Sequence, residues 1–210
     1  MLPYEHFIII LSSPSGTGKS TLARMLLDKY DNIKLSISAT TRKPREGETN
    51  GFDYYFLTQE EFDKKVKDNE FLEYAGIYER SYGTMKSQIE NKFAEGNDVL
   101  LDIDWQGNLS ISKQIKNQSK LLRIFLLPPS VRELENRLTL RATDSKEVIE
   151  RRMADAKNTI NHYKEYDFVI INDSLEVAFD ELCSLIDAKR FQNVKQNELD
   201  KFVKDLLEEE

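Results

Sequence analysis

The residues with the clearest chemistry lie near the amino terminus. Ser13, Pro14, Ser15, Gly16, Thr17, Gly18, Lys19 and Ser20 follow the phosphate-binding pattern GxxxxGK[ST], with Ser13 in place of the first glycine. Gly16 and Gly18 let the backbone curl so that successive N–H groups point inward at phosphate oxygens. A helix opening near Lys19 adds the partial positive charge of its amino-terminal end. Lys19 brings a point charge for the β- and γ-phosphates of a nucleotide, and Ser20 a hydroxyl for Mg2+. Asp102 and Asp104 close an apolar run over residues 99–104. Residues two apart on a strand share a face, so both carboxylates project together at the strand end where parallel sheets place their ligands. A carboxylate there suits Mg2+ or its water. Two basic groups complete the set: Arg42, Lys43 and Arg45, then Arg132, Arg137, Arg141, Arg151 and Arg152. Such groups are either solvated faces or anion-binding clusters.

The elements that must position these residues alternate in type. An apolar, β-branched run over residues 7–11 reads as a strand buried on both faces, residues 12–18 as a loop and residues 19–30 as a helix. A second strand is expected over residues 34–37, followed by an irregular region over 38–56. Thr58 and Glu61 form a capping-box pattern that opens a helix toward Asn69, and a further helix is expected over 85–95, ended by Gly96. Strands follow at 99–104, 121–127 and 168–171, with helices from Ser130 toward Leu140, over 146–163 and over 175–188. Residues 192–210 carry an apolar stripe of Leu199, Phe202, Val203 and Leu206 on a heavily charged helix. Strands alternating with helices, with few hairpin signals, predict a parallel α/β sheet.

Composition sets bounds on function. The chain has 210 residues, 40% hydrophobic, enough for one large domain with a real core rather than a disordered chain. The net charge of −7 disfavours non-specific nucleic-acid binding, which wants a basic face, but leaves room for small anions in a local arginine cleft. No apolar run approaches the roughly 20 residues that span a bilayer, and no signal-peptide pattern precedes the first strand. The single cysteine, Cys183, lies on the apolar stripe of its helix and can form neither an internal disulfide nor a cysteine-based zinc site. A cytoplasmic protein without membrane or nucleic-acid partners is expected, and a homo-oligomer is compatible with the sequence.

The segment 38–54, together with the phosphate loop before it, closely resembles the guanylate kinases, bacterial ones in particular. The resemblance continues through Asn69 to Glu73, Tyr82-Gly83-Thr84, Leu101 to Gly107 and Pro128-Pro129-Ser130, and covers about residues 7–186. It implies a P-loop NTPase-type parallel sheet flanked by helices, with an inserted mixed α/β GMP-binding lobe and a helical lid. The expected division is a core of residues 1–37, 96–136 and 153–190, a GMP lobe of 38–95, a lid of 137–152 and a helical tail of 191–210. It implies the reaction ATP + GMP = ADP + GDP, with Mg2+ accompanying ATP at Ser20 and Asp102. By the same resemblance ATP meets Ser13 through Thr21 and Asn172, and GMP meets Ser38, Arg42, Arg45, Tyr54, Glu73, Tyr82, Thr84 and Asp104. Lys19, Arg42, Arg137, Arg141 and Arg152 are the implied catalytic cations.

The residue types agree with these roles. A guanidinium fork suits the paired oxygens of a phosphate. Guanine offers N1–H and N2–H2 donors that a carboxylate such as Glu73 accepts, with Asp104 a second acceptor and the Ser38 and Thr84 hydroxyls near O6. Three positions depart from the family's habit: Ser13 and Ala142 stand where glycine is common, and Thr84 where serine is. Two rival readings stay open: a non-catalytic peptide-binding module of this family, and a P-loop kinase acting on another phosphorylated substrate such as a ribose bisphosphate. The intact Lys19, Ser20, Arg42 and Arg45 weigh against the first, and Glu73 with the two hydroxyls against the second.

Overall fold

A computed structural model describes residues 2–77, 80–140 and 146–208. At its centre lies β1 (Ile8–Ser12), buried along its whole length, which is why its sequence is a continuous apolar run rather than an alternation. It pairs in parallel with β7 (Asp98–Asp102) and β8 (Leu121–Leu127); β2 (Ile33–Leu35) and β9 (Phe168–Ile171) complete the sheet at its two edges in the order β2-β7-β1-β8-β9. Ile9 and Leu11 pack on one face with Leu22 and Leu26 of α1 (Lys19–Lys29) and with Leu182 and Ile186 of α7 (Leu175–Gln192). Ile8 and Ile10 pack on the other with Ile89 of α3 (Lys86–Ala94) and Ile111 of α4 (Trp105–Gln114).

A second, smaller sheet is built from β3 (Ala39–Thr40), β4 (Tyr55–Phe56), β5 (Phe71–Ile77) and β6 (Arg80–Met85), in the order β4-β3-β6-β5. It is mixed: β6 runs antiparallel to β3 and β5, whereas β3 and β4 are parallel. The capping box forms as expected, with Thr58 accepting from Glu61 N–H and the Glu61 carboxylate accepting from Thr58 N–H, and it opens α2 (Gln59–Lys67). Phe62 of α2 stacks on Phe71 with ring centroids 4.6 Å apart, which fixes the helix over the small sheet. Further along, α5 (Val131–Leu140) packs Leu134 and Leu138 against Ala156 of α6 (Lys146–Ile160), and α8 (Gln196–Glu208) ends the described chain.

Several elements differ from the expectations. The region 38–56 is not wholly irregular, since it holds β3 and β4, and the β5–β6 pair has no counterpart in the predicted strands. β5 escapes the strand pattern because one of its inward positions is a carboxylate, Glu73. β7 ends at Asp102 rather than 104: Asp104 is the N-cap of α4, its side chain accepting from Gly107 N–H at 2.9 Å. The helix expected over 146–163 breaks after Ile160 into a 3-10 segment, Asn161–Glu165. α7 runs on to Gln192, and its Arg190 reaches the wholly buried Asp98 through Nε and Nη2, at 3.0 and 2.8 Å. Tyr4 O–H donates to the same carboxylate at 3.0 Å, so the segment before β1 and the last turn of α7 both close on the start of β7.

Candidate active site

The phosphate loop turns where its glycines allow it. Gly16 and Gly18 have φ of 94° and 96°, a left-handed conformation that residues with a Cβ rarely adopt. Space is also short: a Cβ on Gly18 would sit 2.5 Å from Asn172 Nδ2. Gly18 caps α1 without a side-chain bond, so the first N–H groups of the helix face the loop's hollow. Ser13, Pro14, Ser15, Gly16, Gly18, Lys19 and Ser20 line a hollow of about 310 Å3 there, an anion cradle in shape and polarity. Buried Asn172 holds the loop from behind, donating from Nδ2 to Thr17 O at 2.7 Å. The Asn172 amide thus stands behind the loop, and a second hollow beside it is lined by Gly16, Gly18, Thr21, Arg137, Asn172 and Leu175 among others.

Lys19 lies across from the end of β7, where its ammonium contacts Asp102 Oδ1. Burial pushes the Lys19 pKa down to about 8, against the pull of the Asp104 charge. Asp102 and Asp104 do reach one cavity, though from a strand end and a helix cap rather than from one strand face.

That cavity, of about 400 Å3, is lined by Ser13, Lys19, Ser38, Tyr54, Glu73, Ala75, Tyr82, Gly83, Asp102, Ile103 and Asp104. Glu73 forms its floor at 5% exposure, and burial drives its carboxyl up to about 7, with the Thr84 hydrogen bond opposing and the Asp104 charge reinforcing the shift. Thr84 donates its hydroxyl proton to Glu73 Oε1 at 2.7 Å. A hydroxyl has one proton to donate. Thr84 therefore orients the carboxylate, and of the two hydroxyls expected near guanine O6 it is Ser38 that lines the cavity. Tyr54 and Tyr82 meet edge-on, ring centroids 6.2 Å apart, and burial raises the Tyr54 pKa.

The arginines are dispersed. Arg42 lies under Tyr54 and Phe56, its guanidinium 5.2 and 5.6 Å from the ring centres, and its fork is filled by Glu48, Nη1 to Oε2 at 2.9 Å and Nη2 to Oε1 at 2.7 Å. Glu48 also accepts from Arg45 N–H at 2.7 Å, and these donors hold its carboxyl at about 2. Sequence reading missed Glu48. The available signal was an acid six residues after Arg42 in a turn with Gly47 at φ 86°. The Arg45 side chain is exposed and outside the cavity lining. Arg137 donates to Glu133 Oε1 at 2.8 Å and to Asn172 O at 3.1 Å, beside the phosphate loop. Arg152 is half-buried on α6, away from the lining of the three hollows described above. Arg141, and Ala142 beside it, lie outside the described residues. Gly107, quoted above only for the resemblance, has a packing role: a Cβ there would come 3.1 Å from Ile103 Cδ1 and 3.3 Å from Glu73 Oε2, so a larger residue would press on the carboxylate. Among the described residues no group of three or more His, Cys, Asp or Glu side chains could hold a metal by itself. No helix among them is long and apolar enough to cross a membrane.

The chain is similar to known proteins over most of its length. A guanylate kinase family model matches residues 5–189. The guanylate kinase of Rickettsia felis is 54% identical over 183 residues, 87% of this chain and 94% of the relative. That of Rhodopseudomonas palustris is 43% identical over 202 residues, 96% of this chain and 91% of the relative. Among solved structures, the guanylate kinase of Anaplasma phagocytophilum superposes with a TM-score of 0.73 at 34% identity, covering 90% of this chain and 89% of that one. The chain has the P-loop NTPase fold of that structure and belongs to the guanylate kinase family.

Proposed function

We infer that the chain transfers the terminal phosphoryl group of ATP to GMP, giving ADP and GDP. One observation carries the reading: a buried carboxylate suited to guanine, Glu73, and the cation of the phosphate loop, Lys19, line the same cavity of about 400 Å3. Ionised Glu73 accepts from guanine N1–H and N2–H2, an edge that adenine lacks, while Ser38 faces the base and Tyr54 and Tyr82 offer hydroxyls toward its phosphate. Arg42 is the phosphate's guanidinium, held by Glu48 and offering the N–H groups that Glu48 and Lys43 O leave unused.

The nucleophile is a phosphate oxygen, ionised at neutral pH because the second phosphate pKa is about 6, so no general base is required. Lys19 exchanges Asp102 for the β- and γ-phosphates as ATP enters, neutralising charge that grows on the transferred group. Oxygen donors at Ser20 and Asp102 fit Mg2+, which is bound largely by substrate phosphates and water and needs no all-protein cage. Bound with ATP, the ion supplies charge neutralisation on the phosphates. Residues 38–95 act as the GMP lobe and 137–152 as a lid that on closure adds Arg141 and Arg152 to Arg137, which stands beside the phosphate loop already. The substrates are intracellular metabolites and Cys183 is a free, buried thiol, which supports a cytoplasmic site.

The test is ATP turnover against GMP, dGMP, AMP, IMP and UMP. GMP should be strongly preferred over AMP and UMP, with IMP, which lacks the N2 amine, in between. Equal turnover of AMP and GMP would overturn the assignment.

A further inference from the structure

The 3-10 segment that follows α6 grips the first turn of α4. His162 stacks face to face on Trp105, ring centroids 3.6 Å apart and planes 7° from parallel. Its Nδ1 is engaged by Glu165 Oε1 at 2.8 Å, which fixes the plane of the imidazole. One turn further on, Asn108 Nδ2 donates to Glu165 O at 3.4 Å. The same turn of α4 carries Asp104 as its cap, with Gly107 against Glu73. Nothing in the phosphate chemistry uses Trp105 or His162, and a stack this close between two half-buried polar aromatics far apart in sequence needs a reason.

We propose that Trp105 and His162 are a positioning pair for the acceptor nucleotide: the imidazole clamps the indole so that Asp104 is held at a set distance from Glu73. Two carboxylates can share the donor edge of one guanine only if their spacing holds, and β5 and α4 are separate elements that meet by packing, with Gly107 against Glu73. Packing at Gly107 sets how near α4 comes to Glu73, and a clamp on the outer side of the helix holds its rotation, and so the direction of Asp104. The proposal rests on the reading of Glu73 and Asp104 as guanine acceptors.

The experiment compares His162→Ala, His162→Phe and Glu73→Gln in steady-state kinetics, with acrylamide quenching of Trp105, the only tryptophan in the chain. Loss of a stacked aromatic should raise the KM for GMP roughly three- to tenfold in His162→Ala. The KM for ATP and kcat should stay within about twofold, because the phosphate loop is untouched. Trp105 should become more accessible to quencher in His162→Ala, and His162→Phe, which can still stack, should restore both readouts. Circular dichroism and melting confirm that each variant folds. An unchanged GMP KM in His162→Ala overturns the proposal, as does an equal rise for both nucleotides. If Glu73→Gln leaves the GMP KM unchanged, the guanine-pocket reading fails instead.

Discussion

A buried carboxylate that serves recognition should weaken the free fold, and Glu73 allows the size of that effect to be worked out. Its pKa stands at about 7 instead of 4.5, so the charged form is disfavoured in the native state by about 3 kcal/mol, at about 1.36 kcal/mol per pH unit. The sign follows from proton counting. Between pH 4.5 and 7 the native protein binds more protons at this site than the unfolded chain, so stability falls as pH rises through that window. The penalty is absent well below 4.5 and complete above 7. Glu73→Gln removes the titration while keeping an acceptor for Thr84. The new amide brings its own offset, of whichever sign, but that offset is the same at every pH. The stability difference, variant minus wild type, should therefore grow by about 3 kcal/mol between about pH 4.5 and pH 8. Urea unfolding reads this as a midpoint shift of roughly 1 M in favour of the variant, given slopes of about 3 kcal/mol per molar. Other carboxylates titrate alike in both proteins and cancel. A pH-independent difference would show that Glu73 ionises normally in the free protein and that its burial carries no such penalty. A positive result would mean that guanine binding repays, through the donors it brings, a cost already present in the empty site.

The same shifts predict opposite pH limbs for the two substrates. kcat/KM for GMP should rise up to about pH 7 as Glu73 ionises, whereas kcat/KM for ATP should fall above about pH 8 as Lys19 loses its proton; limbs common to both substrates would contradict the division. Arg42→Ala should raise the KM for GMP by roughly 10- to 100-fold, the worth of a charge-assisted phosphate contact, with a far smaller effect on ATP; a pure kcat loss would refute its ground-state role. Lys19→Met should fold and lose transfer by orders of magnitude, and near-normal turnover in a verified sample would remove the phosphate loop from the mechanism. Arg190→Ala removes the guanidinium countercharge of buried Asp98 and should destabilise by about 3–5 kcal/mol, read by urea unfolding, while leaving KM values at low temperature nearly unchanged.

Local physics made much of this protein legible from its sequence. Residues 121–127 and 168–171 are strands with the expected bounds, because apolar runs of that length, closed by Pro128 or opened after Asp167, leave few alternatives. Gly16, Gly18 and Lys19 likewise define the turn and helix start around a polar hollow within eight residues, since backbone freedom and helix polarity act over that range. Thr58 and Glu61 start their helix for the same reason.

What remained needed the tertiary structure. That Asp104 caps a helix instead of ending a strand depends on where β7 leaves the sheet, and two-residue spacing cannot tell the cases apart. Glu48 in the fork of Arg42, Thr84 giving its proton to Glu73 and Asn172 clasping Thr17 are pairings among chemically equivalent candidates. Spacing along the chain names which groups can bond; only the packing of the two sheets and their helices brings a given donor within 3 Å of a given acceptor and removes the water that would otherwise compete.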